Sequence, residues 1–572
     1  MSTTSESSTE TSSLIEKNTK TSAKNNCSPK DGLEDDNSSF WKTGSRNVLL
    51  CILFLQLCER VTFYSISGNI VLFCTSELKI DSPTAATISL AFHGCCYFVP
   101  VFGGYIADTV AGKFNIILAS AVLYLIGAAI LPVISCEYAE DISYEMKQYL
   151  FGVSLLLVAI GTGGVSASLS PFGAQQLEES GEGAIRSFFS WIYWFINMGS
   201  AIAFLLVGYI QQEISFFLGF LIAAICILLA NGLLLYQCHN YVTYPPEGSA
   251  LTNIVKVVTA VSFRCHHGNE SNKGMNLKDR FDYSKESNGG KFPDGDVENT
   301  KTVLRILPIF STFVLYWTLH NQMYSTFFLQ GERLRVKYNH FTIPVVVLNL
   351  SNNVVILMLL PLLDRFLYPI LDQLGINFSQ LKRISIGMVL AILGMIIAAI
   401  VEIQRKNIML QGHYLQQNLS KEVFNASDLS VLAQIPQFAL IGASEVFAGN
   451  TGQEFAYSQA PYALQSVLMG LYLFTSGLGS YMGSLLVVVV NRISGASGNE
   501  WLPNEPNHGH LEYVFFTLAG LMTLNFFFYL WACGRYEYVQ PGVKTSNKYD
   551  EDGKSISLDS IIIQKEKDES LF

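Results

Sequence analysis

Long uncharged runs, broken by short polar punctuation, occupy most of the chain. Six of them, at about residues 47–74, 84–107, 116–134, 149–171, 188–210 and 216–236, precede a polar stretch at 237–301. Six more follow it, at about 303–329, 343–371, 384–401, 431–449, 467–490 and 514–531. Each run is close to or beyond the ~20 apolar residues with which an α-helix crosses the hydrocarbon core of a bilayer. The pattern predicts an all-α membrane protein with twelve transmembrane helices in two six-helix bundles. A bundle at 47–236 and another at 303–533 are joined by a connector at 237–302 and flanked by tails at 1–46 and 534–572. No strands are expected, and the run at 556–564 is too short to span.

Composition agrees with this division. Half of the residues are hydrophobic (50%) and only 14% are charged, against about 25% in a soluble domain. The charges gather in the tails and the connector. The net charge of −10 comes largely from mixed-sign tails and loops without a continuous basic block, so no nucleic-acid partner is expected. Residues 1–46 are rich in Ser, Thr, Lys and Glu with no apolar core of a signal peptide, and read as a disordered tail. An even number of spans puts both tails on one side. Lys113, Arg186, Lys382, Arg383 and the connector share it, which marks it as cytosolic. The opposite side holds Glu137, Glu140 and Asp141, and a loop at 402–429 with two glycosylation acceptors, Asn418-Leu419-Ser420 and Asn425-Ala426-Ser427.

The 11 cysteines lie mostly inside apolar runs, without paired C-x-x-C spacing, so no disulfide framework is implied. Cys265-His266-His267 lacks a second ligand pair, and no metal site is expected there. No Ser/His/Asp constellation can be placed on one face, and no glycine-rich phosphate loop follows a strand, so an enzyme is not indicated.

Ionisable residues inside a span cost roughly 2.5–3.5 kcal/mol each on insertion scales and usually mark a pathway. Glu59 and Arg60 lie within the first span and Glu445 within the tenth. As neighbours on a helix, Glu59 and Arg60 project about 100° apart and are expected to face different surroundings. The three sum to one negative charge, for which a proton or a cationic substrate group is the natural partner. Tyr64, Tyr97, Tyr193, Trp194, Asn197, Trp317, Gln322 and Asn352 in neighbouring spans would suit a polar, aromatic-walled cavity. His93 and His320 could relay protons or simply pack between helices. Two bundles of six suit alternating access around a midplane site. Gly104-x-x-Ala107-Asp108-x-x-x-Gly112-Lys113, after the second span, combines a close-packing glycine, a carboxylate and a basic residue. It resembles the cytoplasmic loop motif of the major facilitator superfamily.

Three longer stretches resemble one family within that superfamily, the proton-coupled oligopeptide transporters. Glu59-Arg60-x-x-Phe63-Tyr64 is similar to the family's first-helix motif E-x-x-E-R-F-x-Y-Y. The others are Phe188-Phe189-x-Trp191-x-Tyr193-Trp194-x-x-Asn197-x-Gly199-Ser200 and Gly452-x-Glu454-Phe455-Ala456-Tyr457-Ser458-Gln459-Ala460-Pro461. Within the family, Ser170-Pro171-Phe172-Gly173-Ala174 and Glu454 to Pro461 look most like the animal peptide/histidine transporters of endosomes and lysosomes. The resemblance implies symport of di- and tripeptides, and of free histidine, with the proton as coupling ion and no cofactor. Carried over by position, Arg60 would hold the peptide carboxylate, Glu445 and Asn352 its amino group, and Glu59 and Glu445 the proton. Tyr64, Tyr97, Asn197 and Trp317 would line the cavity.

The chain departs from the family at four positions. Gln56 stands for the first glutamate of the motif, Ser166 for a basic residue of the fourth span, Asn321 for an acid after the seventh-span Trp, and Gln175 for an aspartate. An acid and its basic partner have gone together, which avoids an orphaned buried charge.

Glu10-x-x-x-Leu14-Ile15 resembles an acidic dileucine sorting signal that an adaptor could read in a disordered tail. A lysosomal or endosomal membrane is therefore expected, with the plasma membrane as the alternative. Two other functions stay open on the sequence: an endolysosomal signalling scaffold with weak or lost transport, and a proton-independent uniporter of another small solute.

Overall fold

The computed structural model describes residues 46–136, 142–177, 182–243, 245, 250–267, 281–338, 341–375, 378–419, 422–459, 465–496 and 500–536. Twelve helices are long and apolar enough to cross a membrane. They are α1 (Arg46–Ser67), α2 (Ser82–Ala111), α3 (Lys113–Ser135), α4 (Tyr144–Gln175), α5 (Trp191–Ile214) and α6 (Phe216–Tyr236) in the first half. The second half holds α7 (Asp294–Glu332), α8 (Val345–Leu362), α9 (Gln380–Leu410), α10 (Val431–Ser458), α11 (Val467–Ala496) and α12 (Leu511–Gly534). Large apolar side chains such as Leu228, Leu229, Leu524 and Phe527 point outward, which in water would be a liability and in lipid is the expected finish.

Local signals start the helices where the sequence changes from polar to apolar. Asp81 caps α2, its carboxylate accepting the Thr84 N–H at 3.1 Å, and Pro83 follows in the first turn, where a missing N–H costs nothing. Inside each half the helices approach closely through small residues, because lipid gives no hydrophobic drive for association. A Cβ on Gly161 of α4 would lie 2.5 Å from the Cβ of Tyr124 on α3. The α2–α4 crossing rests on Gly103, where a Cβ would come within 3.2 Å of the Gly164 Cα. Gly104, the expected packing glycine, has only Ala167 at 4.0 Å. Gly112 ends the turn after α2 with φ of 77°, a conformation that a residue with a side chain rarely adopts.

The face from which the connector leaves can be called the connector face, and the opposite one the hairpin face. The halves meet along α2 against α11 and α5 against α8. Hydrogen bonds between the halves lie at midplane and toward the hairpin face. Asn353 donates to Ser200 at 2.8 Å, the Val345 N–H to Gln212 at 3.2 Å, Ser89 to the Tyr324 carbonyl at 2.8 Å, and the Ser82 hydroxyl to the Asn504 carbonyl at 2.9 Å. Toward the connector face a cavity of about 490 Å³ separates them, lined by α2 and α4 on one side and α11 on the other.

Three expectations need correction. Strands do occur: β1 (Lys337–Tyr338) pairs with β2 (Phe341–Thr342), and β3 (Tyr414–Leu419) with β4 (Glu422–Ser427). The stretch at 402–410 is not loop but the last turns of α9. Buried charge is also more common than three residues. Glu402 and Arg405 have no exposed side chain at all, and the helix spacing i, i+3 lets them pair. Arg405 donates to Glu402 at 2.6 and 3.0 Å and to Asn507 at 2.5 Å, while Gln330 donates to Glu402 at 3.0 Å. The sequence hid this pair because it looks like the polar edge of a span.

The connector is partly structured. A helix at Ala250–His267 contributes Val257 and Val261 to a small core with Phe281 and Val297. Beside it, Lys285 and Lys301 clamp Asp282 and Glu298 at 2.6–2.9 Å. The two ammonium groups hold the Asp282 carboxyl down at about 2, so the clamp stays charged above the ordinary carboxylate range and is lost only as pH falls through that value.

Removing one member of a buried pair leaves an uncompensated charge, which typically costs about 3–5 kcal/mol. Arg405→Leu should therefore lower the thermal unfolding midpoint of the purified protein strongly. The double variant Glu402→Gln/Arg405→Leu should recover most of the loss.

Candidate functional site

In α1 the Glu59 side chain is wholly buried and that of Arg60 is 15% exposed. The two do not face different surroundings, as helix geometry alone suggests. The long arginine side chain folds back, so that Nε donates to Glu59 Oε2 and Nη2 donates to Oε1 at 2.7 Å. Thr162 of α4 also donates to Oε1 at 2.5 Å, and Gln56 donates to Oε2 at 3.3 Å. Arg60 Nη2 reaches Ser166 at 2.9 Å, and the guanidinium stands 5.1 Å from the Phe63 ring centroid. Two of the departures from the family pattern, Gln56 and Ser166, thus bracket this pair as neutral partners. An amide and a hydroxyl, both uncharged, hydrogen-bond to the pair without adding to its charge.

Glu445 opens a π-helical turn at Glu445–Asn450 in α10, a distortion common at functional sites. Its Oε2 accepts from His320 Nε2 of α7 at 2.9 Å and from Asn352 Nδ2 of α8 at 3.1 Å. The Glu445 side chain keeps 24% exposure and that of His320 only 9%. Trp317 sets its edge against the His320 ring, centroids 4.9 Å apart. Asn321, the third departure, donates through Nδ2 to Ser480 at 2.7 Å and presents Oδ1 to His320 Nδ1 at 3.5 Å. Gln322 is buried and donates to the Thr318 carbonyl at 2.9 Å.

Tyr64 and Tyr97 are each in electrostatic reach of both Arg60 and Glu445. Tyr64 packs on Phe63 and Phe204, with centroids 5.1 Å away in each case. The structure therefore gathers Glu59, Arg60, Tyr64, Tyr97, Trp317, Asn352 and Glu445 around one interior region. Asn197 contributes less, because its amide donates to the Tyr193 carbonyl of its own helix at 2.8 Å. Tyr193 and Trp194 are largely exposed. His93 sits on the seam of the halves, bonded through Nδ1 to the Ser89 carbonyl at 2.8 Å and stacked 4.4 Å from Tyr324. The connector-face cavity reaches Ser166 and so touches the Arg60 cluster.

Sequence reasoning missed Thr162 and the role of His320. A threonine in an apolar helix carries no signal of its own, and a histidine is ambiguous until its partner is known. Asn418 and Asn425 are remote from the site, in β3 and β4. Glu10, Leu14 and Ile15 lie outside the described residues, as do the side chains of Cys265, His266 and His267. Among the described residues no group of His, Cys, Asp and Glu could hold a metal ion. If Gln56 and Ser166 are a compensated replacement, Ser166→Lys alone should set a second cation beside Arg60 and destabilise the protein by several kcal/mol, about 3–5. Gln56→Glu/Ser166→Lys should be markedly more stable than the single variant in the same thermal unfolding measurement.

Comparison with known proteins identifies the family. The family model described as POT family matches residues 114–502. Mouse solute carrier family 15 member 3 is 31% identical, over 86% of this chain and 92% of its own. Human solute carrier family 15 member 5 is 30% identical over 83% of each chain. The crystal structure of an auto-inhibited POT family peptide transporter superposes with a TM-score of 0.69 at 22% identity, over 86% of this chain and 97% of its own, and shows the shared fold. With its twelve spans and a match across most of its length, the chain belongs to the POT family, and is a membrane transporter, not an enzyme.

Proposed function

We propose that the protein carries di- and tripeptides, and free histidine, together with protons from an acidic endolysosomal lumen into the cytosol. The observation that carries this reading is the placement of a cation, Arg60, and a carboxylate, Glu445, on opposite halves around Tyr64 and Tyr97. A zwitterion needs such a pair of opposite charges. The peptide carboxylate would meet Arg60, its amino group Glu445 and Asn352, and its side chains the walls formed by Tyr64, Tyr97, Asn197 and Trp317. The relatives' membership of solute carrier family 15 supports a small solute as cargo.

Coupling follows from the pairing in α1. While Glu59 is ionised, its two oxygens occupy Arg60. A proton on Glu59 removes that hold and frees the guanidinium for the substrate carboxylate. Loss of the proton to the cytosol restores the pair, which then competes with the substrate and favours its release. The bundles at 47–236 and 303–533 are the moving bodies, and the connector at 237–302 and both tails lie in the cytosol. Closure on the hairpin face and a cavity on the connector face correspond to a cytosol-facing state. Glu10, Leu14 and Ile15 would route the protein through a sorting adaptor. Asn418 and Asn425 are both exposed on one face of the β3–β4 hairpin, where lumenal glycans would have room.

Truncating one member of a buried charge pair typically costs 2–5 kcal/mol, about 30-fold or more in affinity. Radiolabelled dipeptide flux in reconstituted vesicles should rise between lumenal pH 7.5 and 5.5, and should fall by at least that factor in Glu445→Gln. Absence of dipeptide and histidine flux at both pH values in folded protein would overturn the reading in favour of a scaffold. Glycosidase treatment should shift the gel mobility of the wild type, but not of Asn418→Gln/Asn425→Gln.

A further inference from the structure

The Glu445 carboxylate is already engaged before any ligand arrives. His320 and Asn352 donate to the same oxygen, Oε2, at 2.9 and 3.1 Å. The imidazole is held there rather than passing by chance, since its own side chain is 9% exposed and Trp317 fixes the ring edge-on at 4.9 Å and 77°. An amino group presented to Glu445 must therefore share the carboxylate with a side chain that can itself carry a positive charge.

We propose that His320 sets which ligands the Glu445 side of the site accepts, by acting as a built-in substitute for the ligand's amino group. In its imidazolium form it neutralises Glu445 from within the protein. A carboxylate whose amino group is blocked or absent can then be bound without leaving Glu445 as an uncompensated buried charge. In its neutral form it leaves the carboxylate anionic, and a ligand ammonium is needed. This inference rests on the peptide-binding reading of the same site.

Charge counting gives the direction. With Glu59 protonated, Arg60, Glu445 and a charged His320 sum to +1, which matches an N-blocked peptide of charge −1. With His320 neutral they sum to zero, which matches a zwitterion. Acid should therefore widen the selection toward N-blocked ligands, and neutral pH should narrow it to free amines.

The other titratable or charged groups facing this pair are few in kind. They are Arg60 and Tyr64 on α1, His93 and Tyr97 on α2, Tyr193 on α5, Tyr316 and Tyr324 on α7, and Tyr472 on α11. The tyrosines supply no cation, and Arg60 is engaged by Glu59. His93 is turned to the Ser89 carbonyl and stacked on Tyr324. His320 is thus the group that both touches Glu445 and can change its charge.

Equilibrium binding to the purified full-length protein in nanodiscs tests this with two matched pairs of probes that carry no titrating side chain, Ala-Ala against N-acetyl-Ala-Ala and Gly-Leu against N-acetyl-Gly-Leu, at pH 5.5 and 7.5. The wild type should bind the acetylated member at pH 5.5, and its acetylated-to-free affinity ratio should fall at least ~10-fold at pH 7.5, a difference of about 1.4 kcal/mol; loss of the Glu59 proton weakens both members alike and cancels in the ratio. His320→Gln keeps a donor for Glu445 but cannot be charged. It should retain the free-amine probe and keep the acetylated-to-free ratio low at both pH values, whereas His320→Lys should keep that ratio high at both. Each variant decides independently, so a folding failure of one leaves the other as the test. An acetylated-to-free ratio that is the same in the wild type and in either variant overturns the role of His320. Rejection of both acetylated probes by a wild type that binds the free amines overturns it too, while leaving the peptide reading intact. A wild type that binds none of the four probes overturns both.

Discussion

A carboxylate inside a bundle of lipid-embedded helices has to be neutralised locally, and the interior of this transporter is organised around that requirement. Glu59 meets it with Arg60 from its own helix, Thr162 from α4 and Gln56 one turn earlier. Glu445 meets it with His320 and Asn352 from two other helices. Glu402 meets it with Arg405, Gln330 and Asn507. Each cluster draws its partners from more than one segment of the chain, so the charges tie the helices together as well as being sheltered by them. In a medium with no water to complete a hydrogen bond, this is what makes such groups affordable.

The clusters differ in what they leave free. Glu402 and Arg405 are fully enclosed and saturated, which suits a fixed joint. Arg60 and Glu445 retain 15% and 24% exposure, stand on opposite halves, and share Tyr64 and Tyr97 as neighbours. The seam between the halves is held at midplane and toward the hairpin face by single hydrogen bonds, Ser89 to Tyr324 and Asn353 to Ser200 among them. Toward the connector face a cavity takes their place.

Departures from the family pattern acquire meaning only in this setting. Gln56 and Ser166 look like losses of function in a linear motif. In space they are two of the three neutral groups, with Thr162, that complete the shell of the Glu59–Arg60 pair, which keeps its charge balance without them being charged. Asn321 is different: it bonds Ser480 through its amide nitrogen and stands beside the His320 ring through its oxygen, while His320 itself meets Glu445.

The sequence by itself determined the number and placement of the spans, the division into two bundles and the family, because crossing hydrocarbon imposes a length and a composition that can be read residue by residue. It also located Glu59, Arg60 and Glu445, since a charge inside an apolar run stands out against its background. It did not reveal that α9 continues through residues 402–410 or that Glu402 and Arg405 are buried, because a polar helix end and a loop look alike when the groups that enclose them, Gln330 and Asn507, are 72 and 102 residues away. Nor could it pair Glu59 with Arg60, whose backbone positions diverge and whose contact depends on a flexible side chain folding back. The His320–Glu445 contact spans 125 positions. Only the packing of α7 against α10 decided it, because the distance between two side chains on different helices is set by the crossing of the helices and not by either sequence alone.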